Sequence, residues 1–466
     1  MSRSWLPAAP VFRAIDLVDA VVADVRRGRL RPGDTLPGSR ALAASLGLNR
    51  KTVVSALAEL EAEGWIEQSA GRRARVRADL PPSPVNPARR LAPGVAATLP
   101  PPQQVPPRPP GPRPLALAGG QPDLRLLPMS DLARAWRRAL RGPGRALADY
   151  GSPLGDAKLR EVLGDWLAAT RGVRPAPEGL LVTRGAQNAL FLAASTLLRR
   201  GDRVAVEAWG YSPAWDAFRA AGLELVPVPV DGDGIVVDEI PAARAVYVTP
   251  HHQYPTGVVL TPGRRAALLD LARRRDMLVI EDDYDHEFHY TGRPVLPLAA
   301  QDPEPVVYVG TLSKAFAPGL RVGFVATHPA RIAALAAFRR VVDRQGDHVT
   351  ERAVAELLLD GTVDRHLRRC RRVYQRRRTT LRAALAAQFG TALVPNDPPG
   401  GLAFWTEAPG IDVDCWAARA LANGVEITTA RRYAFGGEAS PWVRLGYAGL
   451  DESELVEAVA RLRRGW

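Results

Sequence analysis

The chain has 466 residues, 46% of them hydrophobic and 24% charged, which is the balance of a folded globular protein with room for two or three domains. Its formal net charge of +13 is compatible with a polyanionic partner without requiring one. No apolar run is long enough for a bilayer-spanning helix, Met1 to Pro10 lacks the apolar core of a secretory signal, and two cysteines cannot build a disulfide framework. No Cys/His spacing of metal-binding type is apparent, so no metal is expected, and a cytoplasmic protein is.

Residues 1–78 hold thirteen Lys/Arg and eight Asp/Glu. Ile15, Val18, Val22 and Val25 recur at helical spacing, and Gly28 to Asp34 breaks the pattern. Ser39 is placed to cap a helix over Arg40 to Leu46 that ends at Gly47, and Asn49 to cap a second helix. In that second helix Val53, Leu57 and Leu60 form the apolar stripe, while Arg50, Lys51, Thr52 and Ser55 face away. A helix, a Gly-containing turn and a helix with a basic, hydroxyl-bearing start is a helix-turn-helix layout. Gly64 to Ile66, Gly71 and Arg75 to Arg77 would add a β-hairpin wing. A helical dimerisation domain with a solvated basic face fits the periodicity too.

The run Gly28-x-Leu30-x-Pro32-Gly33-Asp34-x-Leu36-Pro37-x-Ser39-Arg40-x-Leu42-Ala43, followed by Asn49-Arg50-Lys51-Thr52-Val53, resembles the GntR-type winged helix-turn-helix. The resemblance implies DNA contacts from Ser39, Arg40, Arg50, Lys51 and Thr52, with Gly71 in the wing. Arg72 and Arg73 stand where that family has a Gly/Ser/Thr-rich wing tip, which implies a stronger phosphate contact there.

From Asp79 to Pro114, fourteen of 36 residues are proline. Proline fixes φ and removes a backbone donor, so residues 79–114 are expected to form a semi-rigid linker, at most about 110 Å long at about 3.1 Å per residue.

Residues 115–466 alternate short apolar runs with helical patterns. Leu180 to Val182, Val204 to Val206, Ala245 to Val248, Leu278 to Ile280 and Val306 to Val309 read as buried strands of a largely parallel α/β sheet. A smaller α+β subdomain is expected over about 345–466, with Leu402 to Trp405 and Val443 to Leu445 as strands.

Lys314 is one of three lysines beside 59 arginines. It follows a strand, where α/β folds place ligands, and an amine can form a Schiff base that a guanidinium cannot. Asp282 and Tyr284 also follow a strand: a carboxylate there can hold a proton on a pyridine nitrogen, and a phenol can bond a ring oxygen. A solvated turn or a Mg²⁺ ligand set is the alternative for Asp282 and Asp283. Gly185, Ala186 and Gln187 open a helix whose N-terminus suits a phosphate. Thr311 and Arg321 flank the lysine and could bind the same phosphate. Tyr211 could stack on a flat ring or simply pack in the core. Arg444 could clamp a carboxylate or pair with a surface acid.

The set resembles the fold-type I aminotransferases, which bind pyridoxal 5′-phosphate. The resemblance implies Lys314 as the cofactor and catalytic lysine, with Thr311, Ser313 and Arg321 in its motif. It implies Asp282 on the ring nitrogen, Tyr284 on the ring oxygen, Gly185, Ala186 and Gln187 at the phosphate, Tyr211 on the ring and Arg444 on the substrate carboxylate. The match includes Tyr150-Gly151-x-Pro153-x-Gly155 and Pro255-Thr256-Gly257, but Tyr254 stands where aminotransferases have Asn; Gln253 is a candidate substitute.

The His252-Gln253-x-Pro255-Thr256-Gly257 variant, Glu281 to Phe288 and Leu312 to Arg321 resemble the MocR/GabR subfamily, which joins a GntR-type head to an aminotransferase-like body. That resemblance implies a head-to-tail homodimer on paired promoter half-sites of double-stranded DNA. It implies sensing of pyridoxal 5′-phosphate, or of an amine or amino-acid effector, through an aldimine at Lys314. A catalytically active aminotransferase with an accessory DNA-binding head is the alternative, and residual transamination is compatible with either.

Overall fold

The computed structural model describes residues 5–7, 11–69, 72–80 and 114–466. Nearly all of the proline-rich segment, and Gly71, lie outside the described residues. The chain divides into two units, residues 1–96 and 97–466.

In the first unit, helices α1 (Ala14–Arg26), α2 (Ser39–Leu46) and α3 (Arg50–Ala62) pack beside strands β1 (Ile66–Glu67) and β2 (Arg75–Val76), which pair antiparallel. The N-cap Asn49 accepts a hydrogen bond from the Lys51 N–H at 2.9 Å, and Gly47 ends α2 in the left-handed region at φ 66°, a conformation glycine adopts without Cβ strain. Two sequence expectations are corrected. Ser39 is the first residue of α2, not its cap; Gly38 holds the cap position and no side chain bonds the helix start. The buried face of α1 is Leu17, Val18, Val21 and Val25, whereas Ile15 is exposed. Val18 and Val25 of the expected stripe are on that face and Val22 is half-buried, while Leu17 and Val21, themselves at i, i+4, complete it in place of Ile15.

The second unit is built on seven strands: β3 (Leu180–Thr183), β4 (Arg203–Glu207), β5 (Glu224–Val228), β6 (Ala245–Val248), β7 (Leu278–Asp283), β8 (Val306–Thr311) and β9 (Gly323–Ala326). Their spatial order is β3-β9-β8-β7-β6-β4-β5. All neighbouring pairs are parallel except those of β9, which is antiparallel to both β8 and β3. Alternate side chains feed two cores. Val182, Ala205, Val246, Val279 and Tyr308 join one, while Leu181, Val204, Tyr247, Ile280 and Val309 join the other. Helices cover both faces, which is why the strands read as continuous apolar runs.

A third core lies under a smaller antiparallel sheet of β10 (Ala403–Glu407), β11 (Thr428–Thr429) and β12 (Trp442–Gly446). Residues Leu115–Ala116 pair in parallel with Val425–Glu426, so this early segment belongs to the C-terminal layer. The 28-residue helix Thr362–Phe389 contributes Cys370, Tyr374, Leu381 and Leu385 to that core. No described helix is long and apolar enough to cross a membrane.

Candidate functional site

Strand order brings the sequence-distant candidates together. The register places Asp282 opposite Val309 on β7 and β8, so the carboxylate and the loop carrying Lys314 leave the same sheet end. Asp282 is buried; its Oδ2 accepts from the Tyr247 hydroxyl at 2.8 Å, and its Oδ1 has no partner. Burial, helped by the charges of Asp283 and Asp285, pushes its carboxyl up to about 7. It is a group that calls for a proton or a cation.

Asp283 projects to the opposite face of the same strand. It accepts from the Tyr308 hydroxyl at 2.5 Å and lies 3.1 Å from His286 Nδ1 and 3.6 Å from Arg171 Nη1. The two aspartates therefore do not converge as one ligand set, which removes the magnesium alternative.

Lys314 is half-buried three residues beyond β8. Burial and then the charge of Arg444 lower its amine to about 8, against the opposing pull of Asp285. A usable fraction is thus unprotonated near neutral pH.

At the far edge, Thr183, Gly323 and Thr311 lie side by side across β3, β9 and β8. Gly185 follows at φ 80°, where a Cβ would come within 3.0 Å of the Arg321 guanidinium; a Cβ on Gly323 would come within 2.7 Å of the Gly185 backbone. Arg321 Nη2 donates to the Arg184 carbonyl at 2.8 Å. Ala186 and Gln187 begin the helix Ala186–Leu197, whose first N–H groups have no partner within the helix. Thr311 Oγ1 lies 3.0 Å from Ser313 Oγ and accepts from the Ser313 N–H at 3.1 Å. Donors, a helix N-terminus and a guanidinium thus surround one glycine-lined space, the composition of a phosphate cradle.

Aromatic side chains form a wall. The Tyr254 ring is edge-on to Tyr211 at 5.5 Å, to Tyr284 at 5.8 Å and to Tyr433 at 5.4 Å, and Arg444 Cζ lies 4.7 Å from its centre. Tyr284 donates to the His252 carbonyl at 2.9 Å. Burial pushes the Tyr211 phenol up to about 12. Gln253 is not free to replace the missing Asn: its amide donates to the Trp209 and Tyr254 carbonyls and accepts from Thr256 N–H and Oγ1. The position is Tyr254's.

Arg444 is buried on β12 with Nε unpartnered, and no carboxylate pairs with it among the described residues. A Cβ on Gly120 would lie 2.8 Å from its Nη1 and one on Gly119 3.2 Å away. Two glycines thus make room for a buried, permanently charged guanidinium that lacks an anion. The surface-acid alternative for Arg444 does not hold. Glycines 119 and 120, Tyr247 and Glu207 were not singled out from sequence. Glu207, buried and raised to about 7 chiefly by desolvation, accepts from Thr249 Oγ1 at 2.8 Å.

In the first unit Arg40, Arg50, Lys51, Arg72 and Arg73 are exposed, Ser39 and Thr52 half-buried, and none of these basic groups forms an ion pair among the described residues.

The aminotransferase class I and II family matches residues 114–462, and the bacterial regulatory protein gntR family matches residues 14–76. The chain is 32% identical to a probable rhizopine catabolism regulatory protein, MocR, of Rhizobium meliloti, over 96% of this chain and 92% of that protein. It is 31% identical to the pyridoxine biosynthesis transcriptional regulator PdxR of Corynebacterium glutamicum, over 98% and 96%. The α-aminoadipate aminotransferase LysN of Thermus thermophilus, solved with N-(5′-phosphopyridoxyl)-L-leucine, superimposes with a TM-score of 0.70 at 32% identity, over 76% of this chain and 92% of that one. A GntR-type head on a fold-type I aminotransferase body defines the class. The chain belongs to the MocR-type family of transcriptional regulators.

Proposed function

We propose that this protein binds promoter DNA through its GntR-type head and reports, through pyridoxal 5′-phosphate held in its body, on the cofactor itself or on an amine or amino-acid effector. The observation that carries the reading is Asp282 Oδ1: a buried, unpartnered carboxylate oxygen at the sheet end that the loop of the lowered-pKa Lys314 also leaves.

The donor set fits the cofactor. Asp282 would hold a proton on the ring nitrogen, Tyr284 would meet the ring oxygen and Tyr211 would flank the ring. Gly185, Ala186, Gln187, Thr311, Ser313 and Arg321 would hold the phosphate, and Lys314 would be the covalent anchor. Bound pyridoxal phosphate supplies an aldehyde that captures amines and a ring that withdraws electrons. Arg444, cleared by Gly119 and Gly120, would take the carboxylate of an amino-acid effector against the wall of Tyr254 and Tyr433. An effector changes DNA binding only if it contacts two conformers unequally.

Arg40, Arg50, Lys51 and Thr52, with Ser39, would face the DNA, with α3 in the major groove. A head-to-tail homodimer in the cytoplasm, reading paired half-sites, completes the proposal. Working aminotransferase activity is the second reading, favoured by the intact lysine, aspartate and arginine set; it leaves the head without a role.

The full-length protein should be titrated with pyridoxal 5′-phosphate while its visible spectrum, operator binding and steady turnover with an amino acid and an oxo-acid are followed. A cofactor band at Lys314 that alters operator affinity, without steady turnover, supports the regulator. Steady turnover with operator affinity indifferent to the cofactor supports the enzyme.

A further inference from the structure

Four of the chain's seven histidines meet at one end of the sheet. His251 and His252 follow β6; His286 and His289 follow β7, its parallel neighbour. All four are buried, His252 to 1% exposure. His251 stacks on His286 at 4.3 Å and meets His252 edge-on at 4.4 Å, while His252 and His289 stack at 5.8 Å.

We infer that His251, His252 and His289 form a Zn²⁺ site. One ring nitrogen from each can be chosen so that all three lie within 4.8 Å of one another. A tetrahedral zinc with Zn–N of about 2.0–2.1 Å needs nitrogens about 3.4 Å apart, so the rings would draw together on the ion. Both ring nitrogens of His251, Nε2 of His252 and Nδ1 of His289 are buried without a partner. A buried polar atom with no partner carries its desolvation cost unreturned, and a shared cation satisfies several at once. His252 Nδ1 lies 2.8 Å from Asp285 Oδ1. That contact orients the ring and leaves Nε2 as the lone-pair nitrogen, the carboxylate–histidine–metal arrangement of zinc proteins.

Imidazole nitrogens are available to a metal only when neutral. Three neutral imidazoles without a thiolate select a borderline divalent ion over Mg²⁺ or Ca²⁺. Asp283 and Asp285 supply negative charge to an ion there. Along the chain the trio is hidden, because His289 follows His252 by 37 positions with no regular metal spacing. The ion would tie the segments after β6 and β7 together through His252, whose carbonyl also accepts from the Tyr284 hydroxyl.

The test uses full-length protein carrying no polyhistidine tag and no pyridoxal phosphate. It is stripped with a chelator, reloaded with zinc chloride, desalted and assayed for metal; cobalt(II) is loaded in parallel for its visible ligand-field spectrum. One tightly held Zn²⁺ per chain and a tetrahedral cobalt spectrum are expected. His251→Gln and His289→Gln, checked for fold by circular dichroism, should lose at least tenfold in zinc affinity, and Asp285→Asn should lose about 10–100-fold. Substoichiometric zinc at saturation, or folded His251→Gln and His289→Gln proteins that keep wild-type affinity, overturns the site. If both variants fail to fold, the wild-type stoichiometry and cobalt spectrum decide alone.

Discussion

Asp282 and Asp283 are consecutive on one strand and are driven in opposite directions. Asp282 is pushed up to about 7 by burial. Burial would raise Asp283 as well, but His286 and Arg171 beside it hold it well below the usual carboxylate range. Strand pleating separates them, since successive side chains face opposite sides of the sheet. One carboxylate is locked into the scaffold, and the other waits for a positive partner.

That separation predicts a stability cost at the site. A carboxylate whose folded pKa exceeds its unfolded one binds more protons in the native state, so stability falls as pH rises. For Asp282 the loss begins near 3.8 and is complete above about 7. A displacement of that size corresponds to roughly 4 kcal/mol at most. Without cofactor, Asp282→Asn should therefore be more stable than the wild type at pH 8, by a few kcal/mol or less, with the difference vanishing near pH 4. Denaturant titrations at the two pH values check this. The same variant should lose cofactor affinity, and a variant that gains neither stability nor a weaker cofactor complex would contradict the assignment.

Lys314 and Arg444 predict a shift in pH dependence. Burial and, after it, the charge of Arg444 together lower the amine to about 8, against the pull of Asp285. Capture of pyridoxal 5′-phosphate needs the unprotonated amine, so its rate should rise with pH and level off above about 8. Removing the guanidinium in Arg444→Gln removes a lowering influence, so the inflection should move upward. Removing the opposing carboxylate in Asp285→Asn should move it downward. Stopped-flow capture rates give both inflections. Lys314→Ala should fold normally and yield no borohydride-trapped adduct; an adduct retained in that variant would place the anchor elsewhere.

Most of the motif residues were legible because they follow strands whose β-branched apolar runs mark themselves. Gly323–Ala326 and Glu224–Val228 were not, since one opens on glycine and holds a single β-branched residue and the other is only partly buried at the sheet edge with a proline inside it. Tyr247 was read as core because its ring is core; only its hydroxyl serves Asp282. Gly119 and Gly120 precede any pattern of the body, and their role emerges when Leu115–Ala116 joins the C-terminal layer and Arg444 arrives from β12. Ser39 and Ile15 show the limit of local rules: a cap-type residue one position inside the helix, and an apolar residue one position off the buried face.

Gly185 makes the phosphate cradle testable by one methyl group. Its φ of 80° disfavours any Cβ, and that Cβ would sit 3.0 Å from the Arg321 guanidinium. Gly185→Ala should cost about 1–3 kcal/mol of stability. It should also weaken pyridoxal 5′-phosphate and free inorganic phosphate together, because the displaced guanidinium serves both. Gly119→Ala crowds Arg444 instead and should spare phosphate while weakening a carboxylate effector. Calorimetric titration of each variant with phosphate separates the two cradles, and equal losses in both would mean that the glycines act only on folding.

The head carries the last prediction. Arg50 and Lys51 are exposed at the first turn of α3, whose start is fixed by the Asn49 cap. Their charges are unpaired among the described residues and so are available to phosphates or base edges. If Lys51 contacts a phosphate, Lys51→Ala should weaken all sequences alike and reduce the salt slope of binding by about one. If Arg50 reads a base, Arg50→Ala should cost about 1–3 kcal/mol on the operator and much less on random DNA. Removing the cap in Asn49→Ala should cost about 1 kcal/mol of stability and misplace both. All three should leave the cofactor spectrum of the body unchanged, so fluorescence anisotropy across a salt series, with the spectrum recorded on the same samples, tells a loss of DNA contact from a loss of fold. Operator affinity unmoved in both Arg50→Ala and Lys51→Ala would remove α3 from the DNA interface.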